Sequence, residues 1–108
     1  MNIDKDNKKI SLYIGEVNEK EINKLIEFID EIKLKYDIEL NQGNNDIIIL
    51  CNLKNIRNKS NSNIVIYYEL NDSIPLFNYN INTNIYTTNN QQEIFDILDF
   101  VLKEEITA

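Results

Sequence analysis

The stretch Ile47-Ile48-Ile49-Leu50-Cys51 decides the fold of this 108-residue chain, because it is apolar at every position. A strand with one face in water would alternate apolar and polar side chains, and this stretch does not. Uninterrupted apolar strands are typical of the centre of an α/β sheet, where other elements cover both faces. The stretch therefore predicts a central strand over residues 46–51.

Two amphipathic helices are predicted around this strand. Asn18, with Glu21 three residues later, has the pattern of a capping box, and apolar residues follow at helical spacing as far as Tyr36. Asn90 and Glu93 repeat the same start signal before a second apolar stripe. The predicted helices span residues 18–36 and 90–104.

Shorter apolar segments between polar turns predict the other strands. They cover residues 9–15, 38–40, 64–68, 74–77 and 85–87. Pro75 restricts the segment 74–77 to an edge position or a strand start. A strand, a long helix and a buried strand in succession imply a right-handed parallel crossover. We therefore expect a Rossmann-like or flavodoxin-like sheet of four to five mostly parallel strands, with both helices on one face.

Composition places limits on the class of protein. The length predicts a single domain over residues 1–108, with residues 1–8 as a flexible polar lead-in. Twenty isoleucines and 19 asparagines stand against single alanine, arginine and proline residues. Since Ile and Asn have A/T-rich codons, we interpret this bias as that of an A/T-rich genome and not as a functional asparagine tract.

The formal net charge of −7 limits the kinds of partner that the chain can bind, and the single cysteine indicates the redox state of its compartment. The charge disfavours nucleic acid and anionic membranes, which both need clustered Lys and Arg. Cys51 has no second cysteine to pair with, which fits a reducing compartment. No apolar run is long enough to span a membrane, and the polar segment from Met1 to Lys9 lacks the core of a signal peptide. We expect a cytoplasmic protein.

The residue types needed for common catalysis are missing. With no histidine, the chain cannot form a Ser-His-Asp or Cys-His arrangement or a histidine zinc site. Gly15 and Gly43 are the only glycines, so no glycine-rich phosphate loop exists. We predict no catalytic residue, metal ligand or cofactor, and we expect a non-enzyme.

An alternative hypothesis is an enzyme or nucleotide-binding domain with a site at the carboxyl ends of the strands, where open α/β sheets bind ligands. The candidate ligand-binding residues are Glu16, Cys51, Asn52 and Glu69. Phosphoacceptor receiver domains share this topology, but they place paired acids after the first strand, an Asp after the central strand and a Lys after the last. This chain has Glu16, Asn52 and Thr88 near those positions, which argues against a working receiver and leaves a receiver-like binding module as an alternative.

The preferred functional prediction is protein–protein contact, as a homodimer or as a subunit of a larger assembly. It rests on the second sheet face, which the polar segments 52–63 and 70–84 cannot cover with full helices. Either these two segments fold over that face as loops, or another protein chain covers it. The predicted interface anchors are Ile66, Tyr68, Ile74 and Phe77. A third hypothesis, an acidic inhibitor of a basic protein surface, also fits the net charge.

Overall fold

Five parallel strands form one sheet in the computed structural model, which describes residues 9–53, 63–71 and 84–107, with side chains as far as residue 102. The strands are β1 (Lys9–Ile14), β2 (Asp37–Leu40), β3 (Ile47–Cys51), β4 (Ile64–Tyr68) and β5 (Ile85–Thr88). Two helices accompany them, α1 (Ile22–Lys35), which follows a 3₁₀ turn at Glu19–Glu21, and α2 (Gln91–Thr107).

The strand order is β2-β1-β3-β4-β5, and every neighbouring pair runs parallel. This is the flavodoxin-like order of a doubly wound sheet. The predicted α/β class is therefore confirmed, and so is the central position of the apolar strand, since β3 lies in the middle of the five. The predicted edge strand at 38–40 is also found, as β2.

Both helices pack on the same face of the sheet, as predicted. Ile10, Leu12 and Ile49 of the sheet belong to one buried cluster with Phe28 of α1 and Leu98 of α2. The rings of Phe28 and Phe95 lie 6.2 Å apart, so the two helices meet each other above the strands. This cluster is the main hydrophobic core.

The helix starts follow the capping signals in the sequence. Asn18 accepts a hydrogen bond from the backbone N–H of Glu21, and the Glu21 carboxylate accepts one from the backbone N–H of Asn18. The Asn90 side chain accepts hydrogen bonds from the backbone N–H groups of Gln92 and Glu93. Helix α2 continues three residues beyond the predicted end at 104, since no Gly or Pro interrupts it.

The second face of the sheet is not bare where the structure describes it. Ile48, Leu50 and Val65 are at most 1% exposed. Tyr13 and Tyr67 pack against them. The expectation of an under-covered face is therefore wrong for these residues. All five residues of β3 are buried, as its apolar run predicted.

Two of the predicted interface anchors lie on the other face. Ile66 and Tyr68 are at most 1% exposed and belong to the helix-side core, where the ring centroid of Tyr68 is 4.9 Å from that of Phe28. Their assignment to the second face is wrong, because β4 is apolar throughout and its sequence alone does not show which side chains face the helices. Ile74 and Phe77, with the predicted strand 74–77, lie outside the described residues, as does the lead-in 1–8.

Ile48 and Ile49 provide a matched test of burial on both faces. Each is fully buried in β3, one in each cluster. We expect Ile48→Ala and Ile49→Ala each to lower the free energy of unfolding by about 2–5 kcal/mol, because each leaves a cavity in packed surroundings. Chemical denaturation measures both. A near-neutral Ile48→Ala beside a damaging Ile49→Ala would show that the second face is open to water.

Candidate functional site

The carboxyl ends of β1, β3 and β4 lie side by side, so the topology brings Glu16, Asn52 and Glu69 to one edge of the sheet. In this strand order the chain changes direction between β1 and β3. Doubly wound proteins bind ligands in the crevice that opens at that position. The candidate residues therefore follow neighbouring strands at the same edge, as their positions after predicted strands implied. Whether a crevice opens at this edge depends on how closely the loops approach each other.

The chain's own backbone fills the position between β1 and β3. The N–H of Gly15 donates to the carbonyl of Cys51 at 2.9 Å, which extends the strand pairing past the end of β1. A Cβ atom at position 15 would lie 2.3 Å from the carbonyl oxygen of Asn52 and 2.8 Å from Leu53 Cδ2. Only glycine fits such a close approach. The two loops therefore touch where a ligand crevice would open.

Asn52 forms hydrogen bonds with three segments at this edge: the loop after β1, the start of the first helix and the segment after β4. Its Nδ2 donates to the Glu16 carbonyl at 3.0 Å and to Glu21 Oε1 at 3.2 Å, while its Oδ1 accepts from the N–H of Leu70 at 2.9 Å. Its backbone N–H donates to the carbonyl of Tyr68. The residue has φ 55°, a left-handed conformation that asparagine tolerates better than most residues. Both amide hydrogens and the amide oxygen are thus engaged within the chain.

Cys51 is fully buried in the helix-side core. Burial raises the pKa of its thiol to about 12; the carboxylates of Glu69 and Glu21 act in the same direction, while Lys24 opposes them. A thiol with a raised pKa holds very little of the nucleophilic thiolate at neutral pH. Cys51 therefore serves as a small apolar side chain at the end of β3.

The two glutamates of the candidate set have different surroundings. Glu16 is exposed and lines an open depression of about 510 Å³ together with Val17, Asn18 and Glu21. Glu69 Oε1 instead accepts a hydrogen bond from the N–H of Asn71 at 3.2 Å. Across residues 9–53, 63–71 and 84–102, no three His, Cys, Asp or Glu side chains are grouped as a metal site.

The charges at this edge disfavour anionic ligands. The depression carries two carboxylates, Glu16 and Glu21. Lys24 is close enough to lower the pKa of Cys51 against the effect of Glu21 and Glu69, but its Nζ donates to the Leu70 carbonyl at 2.9 Å. A phosphate placed beside Glu16 and Glu21 would be repelled. No local pattern in the sequence signals the contact of Lys24 with Leu70, because it joins residues 46 positions apart.

Comparison with protein-family models, with curated proteins and with solved structures finds no match to this chain. Its function must therefore be inferred from its own residues. In the described part of the chain, no helix has the length and apolar character needed to cross a membrane.

Asn52 and Asn41 form a matched pair for testing the role of the Asn52 amide. Both have positive φ, and both accept a backbone N–H through Oδ1, from Leu70 and Ile14 respectively. Only Asn52 donates to Glu16 and Glu21. In Asn52→Asp, a carboxylate oxygen replaces the side-chain NH₂ group and faces the Glu16 carbonyl and the Glu21 carboxylate, which both need a donor. We expect this substitution to lower the free energy of unfolding at neutral pH by about 1–3 kcal/mol. Asn41→Asp should stay within about 0.5 kcal/mol of wild type.

Equal effects of these two substitutions in urea denaturation would contradict the assigned role of the Asn52 amide. Circular dichroism of both variants serves as the check that each remains folded before unfolding begins.

The raised pKa of Cys51 predicts a loss of stability at alkaline pH. The thiol ionises near its ordinary value of 9.0 in the unfolded chain and at about 12 in the folded chain. Between these values the unfolded state binds fewer protons, so the free energy of unfolding falls as pH rises. Compared with Cys51→Ala, wild type should lose up to about 1.4 kcal/mol more for each pH unit in this window.

Denaturation of both proteins below and within this window measures the difference, and the pH-independent effect of the alanine cavity cancels. Parallel pH profiles would contradict the raised pKa. A native thiol that reacts rapidly with an alkylating reagent at neutral pH would contradict it as well.

Proposed function

We propose that this chain is a non-catalytic α/β domain that acts through protein–protein contact, as a homodimer or as a subunit of a larger assembly. The observation that carries the proposal is the direct contact of the β1 and β3 loops, where Gly15 pairs with Cys51 and the backbone fills the position between these strands. Among the described residues at this edge, the Asn52 amide is engaged within the chain and Cys51 is held as a neutral thiol, which supports a non-catalytic role.

Exposed apolar side chains support protein contact. Among the described residues, five large apolar side chains are exposed on the helix layer and on β2, and none of these five belongs to the second sheet face. They are Ile22 (42% exposed), Ile26 (50%), Leu34 (86%), Leu40 (36%) and Phe100 (54%). Single exposed apolar residues are common on protein surfaces, but Ile22 and Ile26 lie one helical turn apart and present a joint surface. The contact surface that we propose is therefore on the helix layer.

The net charge of −7 and the lone buried cysteine fit the rest of the proposal. Acidic domains lack the basic surface that attracts nucleic acid, so the proposed partners are proteins. A single unpaired thiol is typical of reducing compartments, and we place the domain in the cytoplasm. The proposal includes no cofactor.

A ligand panel tests the proposal against its enzyme or ligand-binding alternative. We expect that no nucleotide or divalent cation raises the melting temperature by several degrees. The position between β1 and β3 is filled, Glu16 and Glu21 repel anions, and the described residues contain no cluster of carboxylates that would hold a cation. A ligand that binds only the native state at a hundred times its dissociation constant would add about 2.7 kcal/mol, which a thermal shift detects. A selective rise of that size, abolished by Asn52→Asp but not by Asn41→Asp, would contradict the proposal.

A further inference from the structure

One row of residues on α1 carries an acid, three isoleucines and a base in sequence: Glu19, Ile22, Ile26, Ile29 and Lys33. We call this row the α1 strip. At 3.6 residues per turn, its members from Ile22 to Lys33 lie within about 60° of one another around the helix axis. Glu19 continues the row in the 3₁₀ turn. Ile22 and Ile26 are 42% and 50% exposed, and Ile29 is partly buried against the core.

The α1 strip faces away from α2. Residues on the opposite side of α1 make the contacts with α2: Glu31 accepts a hydrogen bond from Gln91, and the Lys35 ammonium lies 4.3 Å from the Phe95 ring centroid. These residues are about half a turn from the strip around the helix. The strip therefore lies on the β2 side of the molecule, where β2 forms the edge of the sheet and Leu40 is 36% exposed.

The strip is complementary to itself when reversed. Glu19 lies seven residues before Ile26, and Lys33 lies seven residues after it. If two α1 helices cross antiparallel about a two-fold axis at Ile26, each Glu19 lies opposite Lys33 of the other copy, about 10 Å from the axis. Neither Glu19 nor Lys33 has an ion-pair partner among the described residues, and both are exposed.

Pairing of two copies through their β2 edges is less favourable. If two β2 strands pair antiparallel about a two-fold axis at Ile38, Asp37 of one copy lies opposite Glu39 of the other. If the axis passes at Glu39, the two Glu39 residues lie opposite each other. Like charges directly opposite each other destabilise a strand pair. The charge pattern therefore favours a helix contact over an extended sheet.

We infer that the α1 strip binds the α1 strip of a second copy of this chain, in antiparallel orientation about a two-fold axis. The inference rests on the proposed function and names the partner and the surface. The contact spans only about four helical turns on each side, which places it below the lower limit of about 1,200 Å² for specific, stable interfaces. It therefore forms a weak, reversible dimer whose population rises with protein concentration.

Charge reversal tests the inference in the full-length chain. Sedimentation velocity over a concentration series compares wild type, Glu19→Lys, Lys33→Glu and the double variant. Each single reversal replaces two attractive pairs with two repulsive ones and should weaken self-association about fivefold or more. The double variant restores opposite charges at both positions and should return to within about twofold of wild type.

Two further variants address the apolar part of the strip. Ile26→Asp should abolish self-association, because a charge then lies on the two-fold axis opposite its own copy. Ile26→Ala gives a milder change of the same side chain if the aspartate variant fails to fold. Leu34→Ala is the matched control: Leu34 is 86% exposed on the same helix but about a quarter turn or more from the strip, and its removal should change nothing.

The outcomes separate this inference from the proposed function. A dimer that is unaffected by the single reversals, or that the double variant does not restore, would overturn the strip as the contact while leaving protein contact in place. A wild-type chain that is monomeric at all concentrations would overturn the second copy as partner. A selective ligand shift would instead overturn the proposed function itself.

Discussion

Burial of β3 on both faces is the constraint on which the rest of this structure depends. A strand with no exposed side chain can exist only between two neighbouring strands and two covered faces. β1 and β4 supply the first condition through continuous parallel ladders, and the two clusters around Ile49 and Ile48 supply the second. Since β3 carries no polar side chain, polar contacts at its carboxyl end fall to the residue that follows it, Asn52.

Asn52 meets that demand through contacts within the chain, at the edge where doubly wound sheets bind ligands. The carboxyl end of a central parallel strand usually leaves backbone groups available to a ligand, since the flanking loops diverge there. In this chain the loops converge: Gly15 permits contact with the Asn52 carbonyl, and the Asn52 amide joins the β1 loop to the segment after β4. The same contacts that satisfy the buried edge fill the position between β1 and β3 with backbone. The hydrogen-bonding groups of the Asn52 amide therefore stabilise the chain itself.

Much of the fold follows from local patterns in the sequence. The alternation of Ile10 and Leu12 with Tyr13 gives the correct faces of β1, and the capping box of Asn18 with Glu21 is formed as its spacing predicts. Strand β4 could not be assigned in this way, because every residue in it is apolar or aromatic. Its faces are set by register with β3, which pairs Ile66 with Ile49 on the helix side and Tyr67 with Leu50 on the other. Register is a long-range property that no short pattern contains.

The candidate site shows the same division. Topology places the residues after β1, β3 and β4 at one edge, so their proximity could be predicted from strand order. The positive φ of Asn52 and the approach of Gly15 could not, because both depend on how closely two distant loops meet.

Covering the second sheet face changes where an association surface can lie. Once Ile48, Leu50 and Val65 are buried within the chain, they have no area left to bury against a partner, so the hydrophobic gain from association must come from other residues. The remaining exposed apolar side chains are on elements with mixed charge. On such elements, burial of apolar area supplies the attraction, and the order of charges along the element determines which partner surface is complementary. On α1 an acid precedes and a base follows three isoleucines at equal spacing from Ile26, so the surface that such a helix matches most directly is its own reverse.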